Sequence, residues 1–111
     1  MSSTLQLLIT HHPNAVIVKF IGEARLHVED AETELDKVIT ERPQTLIVDA
    51  SELTFLASIG MRLFMNLRRA VTTQGGNVII VSLRPEIETA LRRAHLLSLF
   101  DIRPDLTSAL A

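Results

Sequence analysis

The chain contains no cysteine, no tryptophan and no tyrosine. Without cysteine there is no disulfide framework and no thiolate chemistry. Without tryptophan or tyrosine, a platform for stacking bases is not expected. Glycine occurs only four times, with Gly75-Gly76 the one close pair, so no phosphate-cradling loop of the P-loop or dinucleotide type can be written. Net charge is −2 with the signs interspersed, which lacks the basic stripe of a nucleic-acid binder. No apolar run reaches the length of a membrane span, and the opening MSSTLQLLITHHPNA has neither a basic start nor a long enough apolar stretch for a secretory signal. A cytoplasmic protein without membrane insertion is the expectation.

What is present is the material of one ordinary domain over residues 1–111: 47% hydrophobic residues, enough for one core, against 22% charged. LQLLIT (5–10) and AVIVKFIG (15–22) are β-rich runs separated by HHPN, and they predict two strands joined by a turn. In VEDAETELDKVITER (28–42), Ala31, Leu35, Val38 and Ile39 share one helical face and acidic residues crowd the first turns. Pro43 stops that helix. TLIVDA (45–50) and NVIIVSL (77–83) read as buried strands, the first followed by a loop up to Gly60.

From Gly60 a helix is predicted, with Gly60, Leu63, Phe64, Leu67 and Val71 as its buried stripe, Arg62, Asn66 and Arg69 opposite, and Met61, Met65 and Arg68 between. Gly75 supplies its stop signal. Pro85 opens a further helix whose stripe is Ile87, Ala90, Leu91 and Ala94. LLSLFDI (96–102) ends in a short strand or turn, and the tail beyond Pro104 has no clear pattern. The order β-β-α-β-α-β-α-(β) implies an α/β domain with a mixed sheet of four to five strands, covered mainly by helices.

Ser58 is the residue with a chemical question attached. As a helix cap its hydroxyl would accept a backbone N–H, and its removal would cost about 1 kcal/mol. As a phosphate acceptor it would gain roughly −1.5 to −2 charges at a place where the helix tolerates anions, while a partner packed there would be displaced. Nucleophilic catalysis is not expected, since no nucleophile elbow or triad surrounds it. An enzyme would need an unforeseen polar pocket. Metal binding is not expected either, because His11, His12, His27 and His95 are scattered and cysteine is absent.

The succession of a strand ending in IGEA, a strand ending in VDASELTFLASIGMRLF, and GGNVIIVSLRPEIETALRRAHLLSLFDI resembles the STAS-domain family of bacterial anti-sigma factor antagonists. The likeness covers nearly the whole chain and is sharpest at F-L-x-S-x-G, where the family's phosphorylated serine corresponds to Ser58. It implies partner switching in signal transduction and transcription regulation. The partners would be a serine-kinase anti-sigma factor and a PP2C-type phosphatase, with no cofactor of the chain's own. The resemblance puts Arg25, Ala57 and Ile59 at the partner surface, and the helix geometry adds Met61, Arg62 and Met65. The two methionines either fill core gaps or form an edge that could support a homodimer. Ala57 and Arg25 stand where the family has acidic residues, and His95 where it has glycine. The two lost acids favour an alternative, a constitutive STAS scaffold with no phosphate cycle.

Overall fold

Pro13 and Asn14 fold the first two apolar runs back on each other. The computed structural model describes residues 4–111. In it β1 (Leu5–His12) pairs antiparallel with β2 (Ala15–Ala24) in an unbroken register from Leu5 opposite Gly22 to His12 opposite Ala15. Proline presets the backbone of the two-residue turn, and the Asn14 N–H donates to His12 Nδ1 at 3.1 Å.

The remaining strands join in parallel, each one place further along: β3 (Thr45–Leu56), β4 (Asn77–Val81) and β5 (Asp101–Arg103), giving sheet order β1-β2-β3-β4-β5. The crossovers are α1 (Glu29–Thr40), α2 (Ser58–Thr73) and α3 (Pro85–Arg93). Because every parallel crossover steps in the same direction and is right-handed, all three helices land on one face of the sheet. There Val18, Phe20, Leu46, Val48 and Ile80 meet Ala31, Leu35, Leu63, Phe64, Ile87 and Leu91 in the main core. Phe64 stands edge-on to both Phe20 (5.1 Å between centroids) and Phe100 (6.2 Å), a favoured aromatic geometry.

The tail after Pro104 forms α4 (Leu106–Leu110), which lays Leu106, Ala109 and Leu110 on the opposite face, over Ala15, Ile17, Ile47, Ile79 and Val81. Asp105 caps it, its Oδ1 accepting from the Ser108 N–H and the Ser108 hydroxyl, both at 2.8 Å. Those bonds, the backbone one foremost, hold the Asp105 carboxyl below its ordinary range.

Three expectations are corrected. β3 does not stop at residue 50 but runs to Leu56, so most of the expected loop is strand. It stays paired with β2 through two register shifts, one of them beside Gly22, whose φ is +105°. α2 starts at Ser58 rather than Gly60. Ala94 is exposed, because α3 ends at Arg93 and the chain turns away at His95, φ +61°. The His95 and Leu96 N–H groups bond back to the carbonyls of Arg92 and Leu91, the same closure that Gly75 and Gly76 make onto Thr72 and Val71 at the end of α2.

Candidate functional site

A single residue, Ala57, connects the end of β3 to the start of α2. Its backbone is extended (φ −94°, ψ 178°), and its N–H donates to the Ala24 carbonyl at the end of β2 (3.0 Å). Its own carbonyl takes the first helical bond, from the Met61 N–H at 3.0 Å. Gly60 makes this junction sterically feasible. A Cβ there would lie 2.6 Å from Ala24 Cβ, 2.6 Å from the Ala24 oxygen and 2.7 Å from Leu56 Cδ1. The first turn of α2 therefore rests directly on the end of β2, and Ser58 is held by a strand on one side and a helix on the other.

Ser58 is exposed and is the first residue of the helix. The residue in the capping position is Ala57, and no side-chain hydrogen bond caps α2. Of the two readings of Ser58, the cap is therefore not the one the structure has. Continued pairing of β3 carries the extended backbone to Ala57 and moves the cap one residue upstream of the serine. The hydroxyl is not taken up by capping.

The electrostatics of this helix start differ from those of its neighbours. The first turn of α1 holds Glu29, Asp30 and Glu32 and that of α3 holds Glu86 and Glu88, whereas the first turn of α2 holds no acid. The positive end of its dipole therefore has no acidic side chain of its own first turn to offset it. Down the outer side of the helix, Ser58, Arg62, Met65 and Arg69 follow at i, i+4, i+7 and i+11, which places them in one stripe. Arg62 and Arg69 are exposed and Met65 is half-buried between them.

Of the residues expected at the partner surface, Arg25, Ala57 and Ser58 come together where the end of β2 meets the start of α2. Arg62 and Met65 extend that surface along the stripe. Ile59 and Met61 are half-buried and lean on the core. Arg25 points a charge outward but is held by Glu23, with Nε 3.1 Å from Oε1. The turn carrying it is tied down by Thr4, whose hydroxyl lies 2.9 Å from the Glu23 carbonyl and 3.0 Å from that of Leu26.

Two of the exposed hydrophobics, both close in sequence to this junction, escape the sequence reading. Leu26, beside Arg25, is 58% exposed, and Phe55 is 47% exposed. Phe55 pairs with Glu23 while Ala24 and Leu56 are in the core, so it emerges on the sheet face away from α2. β3 carries one extra residue at each of its two register shifts against β2, and the two shifts cancel. Phe55 thus keeps the parity of Ile47 on the face away from α2, while Leu53 between the shifts turns into the core. Among the described residues, no helix is long and apolar enough to cross a membrane.

Known proteins bear directly on this arrangement. The sequence profile of the STAS domain matches residues 6–109. The chain belongs to the STAS domain family. It is 23% identical over 108 residues to an anti-sigma F factor antagonist of Paenibacillus polymyxa, covering 96% of this chain and 92% of the relative. Its fold is shared with an anti-sigma factor antagonist from Mycobacterium paratuberculosis (TM-score 0.84, 23% identity, 96% of this chain and 91% of the other). The Bacillus cell fate determinant SpoIIAA in its phosphorylated form is similar as well (TM-score 0.70, 20% identity, 95% and 96% coverage). The STAS fold supplies the frame, and the β3–α2 junction of this STAS domain is the place where a hydroxyl, a helix start without a side-chain cap or an acid, and two arginines coincide.

Proposed function

We propose that this STAS domain is an anti-sigma factor antagonist: it binds a serine-kinase anti-sigma factor over the surface around Ser58 and is released when that kinase phosphorylates Ser58. The observation that carries the reading is the exposed Ser58 hydroxyl at the start of a helix with neither a cap nor an acid in its first turn. The names of the relatives, and the existence of one fold neighbour in a phosphorylated form, support it. In the transfer, the Ser58 oxygen bonds to the γ-phosphorus of ATP as the bond to the β-phosphate oxygen breaks. The serine proton passes to a base of the kinase, and ADP departs. A PP2C-type phosphatase would hydrolyse the ester and restore the binding form. The chain itself is ligand and substrate, acting in the cytoplasm.

The physical logic is that the two sides respond oppositely to the new charge. The domain tolerates it, because the first-turn amides favour an anion and Arg62, one turn on, is in the i+4 position to pair with it. The partner does not, because an unpaired charge in a closed interface is costly. Ser58→Asp should weaken kinase binding by about a hundredfold, since an interfacial charge left unpaired costs roughly 2–5 kcal/mol. Ser58→Ala should bind like the unphosphorylated parent and stay bound in the presence of ATP. If both variants bind and release as the parent does, the switch is not at Ser58.

A second reading, a constitutive scaffold, draws on the Arg25–Glu23 ion pair and on Ala57, which leave the surface without the acids typical of the family. Intact-mass measurement of the protein from its own cells separates the two. A phosphatase-sensitive phosphate on Ser58 supports the switch, and an unmodified chain under all growth conditions supports the scaffold.

A further inference from the structure

A sheet has two edges, and in this protein they are treated very differently. The β5 edge is three residues long, and two of them, Asp101 and Arg103, clasp each other (Nε to Oδ1 2.8 Å, Nη2 to Oδ2 3.0 Å). Short length and paired charges are devices that stop another strand from adding. The β1 edge is eight residues long, reads Leu-Gln-Leu-Leu-Ile-Thr-His-His, and pairs with β2 without a bulge. It carries no lysine, acid or proline of its own, and its single charged contact is at one end, where His11 Nε2 lies 2.8 Å from Glu41 Oε1. The stretch from Leu7 to Thr10 therefore has none of those devices.

The backbone of β1 also has a definite polarity. The Glu23 N–H donates to the Thr4 carbonyl (2.9 Å), and His12 and Ala15 close the two-residue turn. Both observations place even-numbered residues in the pairs that bond to β2. Antiparallel strands alternate such pairs, so Leu7, Ile9 and His11 direct their N–H and C=O groups outward, where the described residues include no further strand. Side chains add to this. Leu8, at 55% exposure, stands on the sheet face opposite the main core, next to Lys19 and its partner Glu52.

We propose that β1 pairs antiparallel with β1 of a second copy of this chain, giving a twofold dimer with a continuous ten-stranded sheet. With the β5 edge blocked, β1 is the one edge among the described residues that a second copy can offer in return, and an edge that pairs with itself closes as a dimer instead of growing into a fibre. A twofold axis at Ile9 is self-complementary. Ile9 faces Ile9 of the second copy, Leu7 faces His11, and the exposed Leu8 faces Thr10. The three outward pairs supply about six backbone hydrogen bonds, two for each pair. Ser58 lies at the Ala24 end of β2, six residues along that strand from Val18, the partner of Ile9 at the axis, so the inference stands apart from the phosphorylation reading.

A single added strand pair is a small interface, so half-association is expected at roughly 10–100 μM. Sedimentation equilibrium across that range should show the mass rising from 12.3 kDa towards twice that value. Leu8→Lys, which places like charges across the axis, and His11→Pro, which removes an outward N–H while sparing the β2 ladder, should each weaken association at least tenfold. Amide exchange supplies the signature of the edge. The amides of Leu7, Ile9 and His11 should gain protection with concentration, while those of Gln6, Leu8 and Thr10 should be protected throughout. A parent that stays monomeric overturns the proposal. So does a dimer that persists in both variants, or one whose formation leaves the odd-numbered amides unprotected, as association through Met61 and Met65 would.

Discussion

Gly60→Ala tests whether the close seat of α2 on β2 sets the geometry of the site. By helix propensity alone the change should stabilise, since alanine is favoured over glycine by about 1 kcal/mol inside a helix. The packing argument has the opposite sign. The added carbon would meet Ala24 Cβ and the Ala24 oxygen at 2.6 Å and Leu56 Cδ1 at 2.7 Å. Ordinary contact between such atoms begins at about 3.5 Å, so the helix start must retreat by roughly 1 Å. Two of the three atoms belong to Ala24 at the end of the interior strand β2 and cannot move aside as a flexible chain end would. Overpacking of this kind costs about 1–3 kcal/mol, and with three simultaneous contacts the upper end applies. The net expectation is a loss of about 2 kcal/mol, or roughly 10 °C in Tm for a domain of this size. Urea denaturation followed by circular dichroism should show a lower midpoint with an unchanged slope. Adding Ala24→Gly removes one of the three contacts and should recover part of the loss, not all of it. A Gly60→Ala protein as stable as the parent would refute the packing argument, and with it the claim that this contact fixes Ser58.

Two further outcomes are expected. His95 occupies the left-handed position that ends α3 (φ +61°). His95→Gly should therefore stabilise the domain by about 0.5–1 kcal/mol, the relief of that conformation less the added freedom of the unfolded chain. His95→Ala should bring no gain, and thermal melts of the three proteins decide it. The Asp105 carboxyl is held below its ordinary value of 3.8 by its bonds from Ser108. A depressed folded-state pKa means that its contribution to holding α4 is complete above the unfolded value and is lost as pH falls through the lower folded one. Ser108 amide protection should thus be level from neutral pH down to about pH 5 and collapse in more acid solution. Asp105→Asn should flatten that profile, and unchanged acid sensitivity in it would assign the effect elsewhere.

By itself, the amino-acid sequence determined much of the frame. Pro13-Asn14 between two apolar runs specified the hairpin, and the alternation of helices with short apolar runs specified parallel crossovers. The predicted stripe of α2 (Gly60, Leu63, Phe64, Leu67 and Val71) is the set that is buried. The resemblance to the STAS family was legible from F-L-x-S-x-G and its neighbours. These signals are local, since periodicity within one element reports which side of it is withdrawn from water.

Other features were decided only in the assembled structure. β3 continues to Leu56 because β2 lies beside it to bond with, and the register shifts between the two strands turn Leu53 into the core and leave Phe55 on the opposite face. Ser58 became the first residue of α2, not its cap, because that longer strand left only Ala57 to make the turn. α4 found its place because the second sheet face needed cover, and a five-residue helix carries too little pattern to announce itself. Which strand edge is open depends on the order of strands in space. Each of these is a relation between segments distant in the chain, and hydrogen-bond register and steric approach between such segments are established only when the fold brings them together.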